Sequence, residues 1–269
     1  VQGFYRHPSR VIGLPMRFGV YRPPQTQDRR VPVLFYLAGL TCTEETFFIK
    51  AGAQRLAAQL GMLLVSCDTS PRDTGIAGEA DDWEFGSGAG FYLNASEAPW
   101  ARNFRMYDYV LEELRELVIE RFPADPERMS ILGHSMGGHG ALVLALRNPQ
   151  RYRSVSAFAP ICSPSRCPWG LKAFPRYLGS DRAAWASYDA VEIMRAAGRP
   201  LFDRILIDQG TDDKFLHQGQ LLPELFESAC QGAGQPLTLR RHEGYDHGYY
   251  FISTVVEEHL RFHAAALSG

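Results

Sequence analysis

The sequence predicts an α/β fold, a mostly parallel central sheet with helices on both faces. Three observations carry the prediction. Short apolar runs alternate with stretches of helical apolar spacing through most of the chain. One such run, Ile131-Leu132, enters Gly133-His134-Ser135-Met136-Gly137 and an Ala/Leu-rich segment leaves it, the strand–turn–helix context of a G-x-S-x-G elbow. The length, 269 residues, suits one domain over residues 1–269 that buries its core without disulfides or metals.

Taken in order, residues 11–21 and 31–40 alternate or run apolar, and Pro23-Pro24 with the polar stretch to Arg30 separates them. They read as two antiparallel strands joined by a surface loop. Residues 31–40 are continuously apolar, as a strand at the centre of a sheet requires. Residues 46–60 have helical spacing, and 62–67 form a short buried-type strand. Residues 68–100 are rich in Gly and Asp and lack period; loops of that length in compact domains usually carry function. Helix returns over 102–121, strand over 128–132 and helix over 136–146, stopped near Asn148-Pro149. Residues 154–158, 204–207 and 236–239 read as three more strands, and 221–231 and 249–266 as helices. Residues 160–200 break the rhythm and are expected to form an excursion over the site.

Composition narrows the function classes. Hydrophobic residues make up 45% and charged residues 22%, which is ordinary for a globular protein. The net charge of −2 implies no broad basic face, so nucleic acid and anionic membrane are excluded as expected partners. The five cysteines (Cys42, Cys67, Cys162, Cys167, Cys230) are odd in number and form no C-x-x-C, which fits a reduced, cytoplasmic setting. No stretch reaches the length of a membrane span, and the segment from Val1 lacks a signal-peptide pattern. No metal motif appears, 86–90 lacks the G-K-[ST] of a phosphate loop, and no cofactor is called for.

A serine hydroxyl is a weak nucleophile until a base takes its proton and a third group orients that base. In α/β-hydrolases the partners follow in the order Ser, acid, His. The chain offers Asp212 and Asp213 after one late strand and His247 after the last. Both turns fall at the carboxyl end of the sheet, where open α/β sheets form their crevices. Of eight histidines, only His247 combines a loop, the right order, and small and aromatic flanks. His134 and His139 read as packing beside the elbow or as groups that support the active residues, and His259 and His263, four apart on the last helix, as a solvated face. Asp208 lies within the strand and is expected to satisfy backbone groups. Spacing leaves Asp212 and Asp213 both open. An oxyanion needs preorganised backbone donors. Met136 N–H, just after the serine, and Leu40 N–H, beside Gly39, are the natural pair, with Cys42 close by. Trp83, Phe85, Trp169 and Lys172 lie in the loops expected to line the entrance.

These residues sit in longer matches. LAGLTCTEETF at 38–48, DDWEFGSGAGFYLNAS at 81–96, PWARNFRMYDYV at 99–110, GHSMGGHGAL at 133–142, CPWGLKAF at 167–174, LIDQGTDDKFL at 206–216 and EGYDHGYYFI at 243–252 resemble the S-formylglutathione hydrolase (esterase D) family along nearly the whole chain. The resemblance implies a single-domain α/β-hydrolase fold and a thioesterase with a Ser135, Asp213 and His247 triad. It implies S-formylglutathione as substrate and often a homodimer, and it is what selects Asp213 over Asp212. Ala38, Gly248, Asn94 and Ser96 depart from common family residues, which bears on pocket detail and on no triad position. The alternative within the class is a broad short-chain carboxylesterase. A non-catalytic binding protein on the same fold is disfavoured by the complete Ser, Asp and His set, and dehalogenase chemistry by the absence of a carboxylate nucleophile.

Overall fold

The computed structural model describes residues 1–268. Two strands open the chain, β1 (Gln2–Pro8) and β2 (Pro15–Tyr21), paired antiparallel from Gln2↔Tyr21 to Pro8↔Pro15. β3 (Val31–Leu37) follows, then α1 (Thr46–Lys50), α2 (Gln54–Leu60) and β4 (Leu63–Cys67). The long loop holds isolated bridges and a short 3-10 turn at Trp100–Arg102, and leads to α3 (Met106–Asp108), a π-helical stretch over Tyr109–Leu114, and α4 (Arg115–Arg121). The second half contains β5 (Ala124–His134), α5 (Met136–Arg147) and β6 (Val155–Phe158). Next come α6 (Pro168–Leu178), α7 (Arg182–Ala186) and α8 (Ala190–Ala197), all between β6 and the following strand. The chain closes with β7 (Ile205–Gly210), α9 (Lys214–His217), α10 (Pro223–Ala233), β8 (Leu237–His242) and α11 (Tyr249–Leu267).

All eight strands form one sheet in the order β1-β2-β4-β3-β5-β6-β7-β8. Pairings from β4 to β8 are parallel, and β1-β2 and β2-β4 are antiparallel. The expected hairpin of 11–21 with 31–40 is therefore absent, because β4 lies between β2 and β3. The burial of β3 gives the reason. Six of its seven residues are buried, and such a run needs neighbours on both edges and helices on both faces. The partner of β2 in its hairpin is β1, which its polar alternation hid. Gly52, at φ +70°, splits the helix expected over 46–60 into α1 and α2.

The two faces are covered by different helices. α5 packs on β3, β5 and β6 and carries α8 beside it, with α10 against α8. α11 packs on β5, β6 and β7 and meets α1 and α2. Every residue of α5 from Met136 to Leu146 is buried, so the helix that leaves the elbow is a core element with no freedom to shift.

Candidate active site

The elbow is built from close approach. Ser135 has φ +57° and ψ −120°, a backbone conformation that a side chain makes costly and that surrounding contacts must hold. Its N–H donates to Phe158 O at 3.0 Å, and its carbonyl accepts from His139 N–H at 3.0 Å and Ile161 N–H at 3.2 Å. Neighbouring glycines make the turn possible: a Cβ on Gly137 would lie 2.0 Å from Leu37 O, and one on Gly133 2.1 Å from Gly137 O. The loop after β3 passes directly over the serine, since a Cβ on Gly39 would stand 3.1 Å from Ser135 Cβ. Met136 is the first residue of α5, whose leading N–H groups have no intrahelical acceptor. Thr41, at φ +67°, donates its N–H to Gly88 O at 2.9 Å and ties the Gly39-Leu40 segment to the long loop.

The acid and the histidine meet across two loops. His247 Nδ1–H donates to Asp213 Oδ2 at 2.5 Å. Asp213 is fully buried, caps α9 by accepting from Phe215 N–H at 2.8 Å, and accepts from Gln209 Nε2 at 3.0 Å. Burial alone would raise its carboxyl; the hydrogen bond and positive charge of His247, with the backbone and Gln209 donors, hold it below the ordinary carboxylate range. Asp212 is exposed and accepts only from its neighbour Thr211. The imidazole of His247 is fixed by rings on two sides. Phe215 meets it edge-on at 4.8 Å, and the His134 ring lies 4.5 Å away.

His134 is buried, neither ring nitrogen has a hydrogen-bond partner among the described residues, and its ring reaches Tyr249 at 5.8 Å. Burial, and then the nearby His247, push its pKa far down. It is therefore a neutral imidazole wedged between the serine and histidine loops.

The entrance candidates divide. Trp83 is half exposed and meets Trp169 edge-on at 5.9 Å; Trp169 leans on Phe215 at 4.7 Å, so an aromatic row leads to His247. Glu84 accepts from Trp169 Nε1 at 2.8 Å, and Lys172 Nζ binds Asp82 at 2.5 Å and Glu84 at 2.6 Å. Phe85 is not on this wall. It is fully buried between Tyr177, stacked at 4.4 Å, and Trp100, edge-on at 4.6 Å, and packs the inside of the long loop. Cys42 is half-buried near Thr46, Lys50 and Tyr249, and burial raises its thiol pKa, which keeps it protonated and a poor nucleophile. Sequence reasoning missed Phe215, Gln209 and Tyr249; the signal was their adjacency to the Asp213 and His247 motifs.

A second Ser-His-Asp chain lies beneath the sheet. His263 bridges Ser154 Oγ at 2.8 Å and Ser156 Oγ at 2.7 Å; His259 bridges Ser156 Oγ at 2.8 Å and Asp208 Oδ2 at 3.1 Å. Arg240 closes it with two contacts of 2.6 Å to Asp208. Ser156, Asp208, His259 and His263 have no exposed surface, so no substrate reaches them. The two helix histidines thus face the core, against expectation, because β6 and β7 present polar side chains to that face of α11. Asp208 likewise binds side chains.

The sheet order, the strained serine turn and the late acid and histidine loops define an esterase of the α/β-hydrolase class, and the Esterase family ("Putative esterase") matches residues 9–262. Within that class the chain belongs to the S-formylglutathione hydrolase family. It is 52% identical over 269 residues to the S-formylglutathione hydrolase of Rattus norvegicus, covering all of this chain and 95% of that one. It is 53% identical over 265 residues to that of Arabidopsis thaliana, covering 98% and 92%. The solved structure of an S-formylglutathione hydrolase from Agrobacterium tumefaciens superposes with a TM-score of 0.96 at 49% identity, covering 99% of this chain and 95% of that one.

Proposed function

We propose that the protein hydrolyses S-formylglutathione to glutathione and formate. The observation that carries the catalytic assignment is the His247–Asp213 contact of 2.5 Å, on loops that converge with the Ser135 elbow. Ser135 Oγ attacks the formyl carbon while His247 Nε2 takes its proton. Asp213 holds His247 with Nδ1 protonated, which leaves Nε2 free to act. The N–H groups of Leu40 and Met136 receive the oxyanion. The C–S bond then breaks, His247 returns the proton to the leaving sulfur, and formyl-Ser135 remains. Water, deprotonated by the same histidine, releases formate and restores the serine.

The aromatic row from Trp83 to Phe215, with the Lys172 cluster at its rim, supports an entrance on that side of His247. We further read residues 1–269 as one domain, working as a homodimer in the cytoplasm; five unpaired cysteines favour a reducing compartment. No described helix is long and apolar enough to cross a membrane.

Two measurements test the reading. A serine-directed organophosphonate should label Ser135, located by peptide mass spectrometry, and kcat/KM for S-formylglutathione should exceed that for a neutral aryl acetate. Labelling elsewhere removes the nucleophile assignment, and a ratio at or below unity favours the broad carboxylesterase instead.

A further inference from the structure

The chain uses arginine almost everywhere a cation is needed. Of its 28 basic residues only Lys50, Lys172 and Lys214 are lysines. They are far apart in sequence, yet each is separated by at most two side chains from a ring that meets His247. Lys172 stands at the Trp169 end of the aromatic row and is neutralised by Asp82 and Glu84. Lys214 follows Asp213 directly and its Nζ lies 4.8 Å from the centroid of Phe215, the ring that meets His247. Lys50 ends α1, and its Nζ lies 5.7 Å from the centroid of Tyr249, whose ring meets His134. Lys50 and Lys214 are exposed and make no ion pair with any described residue.

The Lys50 flank is also a cavity. A cleft of about 590 Å³ is lined by Lys50, Gly248, Tyr249, Tyr250 and Ser253, and Gly248 directly follows His247 in the chain. Tyr250 is 89% exposed there, a large aromatic surface with nothing on it. The same cleft receives the first turn of α11, which has no side-chain cap and leaves N–H groups free. An unpaired ammonium, uncapped helix N–H groups and a bare aromatic face together suit an anionic group on a flexible arm.

We propose that Lys50 and Lys214 bind the two carboxylates of the substrate's leaving arm, one on each flank of the scissile thioester, a proposal that rests on the thioesterase reading above. The chemistry of the arm matches this arrangement. Glutathione carries its sulfur on the middle residue and a carboxylate toward each end, so a thiol held at His247 sends one carboxylate to either side. A lysine ammonium, a mobile point charge on a long stem, can follow such an arm until the C–S bond breaks. Lys172, already paired twice, braces Trp169 and is left out of the recognition.

The test compares kcat/KM for S-formylglutathione with kcat/KM for a neutral aryl acetate in the wild type, Lys50→Gln, Lys214→Gln, the double variant, and the Arg replacement at each position. The ratio should fall about tenfold for each Gln variant, the lower end for a hydrogen bond to a charged group, and about a hundredfold for the double, mainly through KM. The Arg variants should keep most of it. A double variant whose ratio stays within about twofold of wild type overturns the lysine assignment. A wild type without thioester turnover overturns the functional reading instead. In that case, inhibition of aryl acetate hydrolysis by glutathione still decides the lysines: they stand if glutathione outcompetes its dicarboxylate diester and the double variant erases the difference. They fall if acid and diester inhibit wild type equally.

Discussion

Acidification from neutral pH to about pH 5 should destabilise this protein, and the buried histidines set the size of the effect. His139 lies one turn after the serine, fully buried, with Nε2–H donating to Phe91 O at 2.8 Å and Nδ1 without a partner among the described residues. Burial pushes its pKa down to about 4, against about 6.5 in an unfolded chain. Between those values the unfolded chain binds the proton and the folded chain does not. Stability is thus complete above about pH 6.5 and falls by about 1.4 kcal/mol per pH unit below it. At about pH 5 His139 alone removes about 2 kcal/mol. His134, His259 and His263 are lowered by burial too, so their contributions have the same sign. Asp208 and Asp213 are lowered carboxylates, and their stabilisation is lost only at still lower pH. Urea unfolding followed by far-UV circular dichroism at about pH 7.5, 6.5, 5.5 and 5 measures the slope. His139→Leu should be less stable at neutral pH but lose less on acidification, by about one proton. A midpoint that is flat or rises from pH 6.5 to 5 would refute the burial argument.

Other changes act on the site and its frame. Ser135→Ala should lower kcat by about 10⁶ without changing the circular dichroism spectrum; retention of more than about a thousandth of the activity points to another nucleophile. Asp213→Asn should cost about 10⁴ in kcat, because the amide disfavours the productive tautomer of His247; a change confined to KM removes Asp213 from its orienting role. Gly137→Ala, which puts a Cβ 2.0 Å from Leu37 O, should yield little folded enzyme, and a soluble variant of normal activity contradicts the close-approach account of the elbow. Asp208→Asn should destabilise by about 1.5–3 kcal/mol by weakening the contacts of Arg240 and His259 to a buried carboxylate, while Arg240 keeps Glu258, and folded molecules should still accept the organophosphonate; loss of labelling in the folded variant shows that the buried chain reaches the serine.

What could be read from the sequence follows from how local each signal is. The elbow is local: one segment contains the strand, the strained residue, the glycines and the helix. The acid and the histidine were legible as loops after late strands, while the choice of Asp213 came from resemblance and is matched by a contact that spacing could not supply. The place of β2 beside β4 was not legible, because strand order depends on pairing between distant segments and β1 lacks an apolar signature. His259 and His263 were misread for a related reason. Histidines on a terminal helix look solvated unless Ser154, Ser156 and Asp208 are known to face them, and alternation along β6 and β7 does not reveal which face α11 will cover. Phe85 looked like an entrance residue by position, yet its ring belongs to a cluster with Tyr177 from α6.

The order of the loops along the chain also acts as a clock. During synthesis the serine turn and the loop over it emerge first, and His247 follows roughly a hundred residues later, a delay of about 5–20 s at ordinary elongation rates. Throughout that interval the serine has no base, and one face of the sheet waits for α11, which follows His247 immediately. A chain stalled before Glu243 therefore carries a chemically silent serine and a sheet face without its covering helix. Hydrolytic competence and the burial of that sheet arrive together, which makes an interrupted product a target for chaperones and proteases and denies it any reactivity of its own.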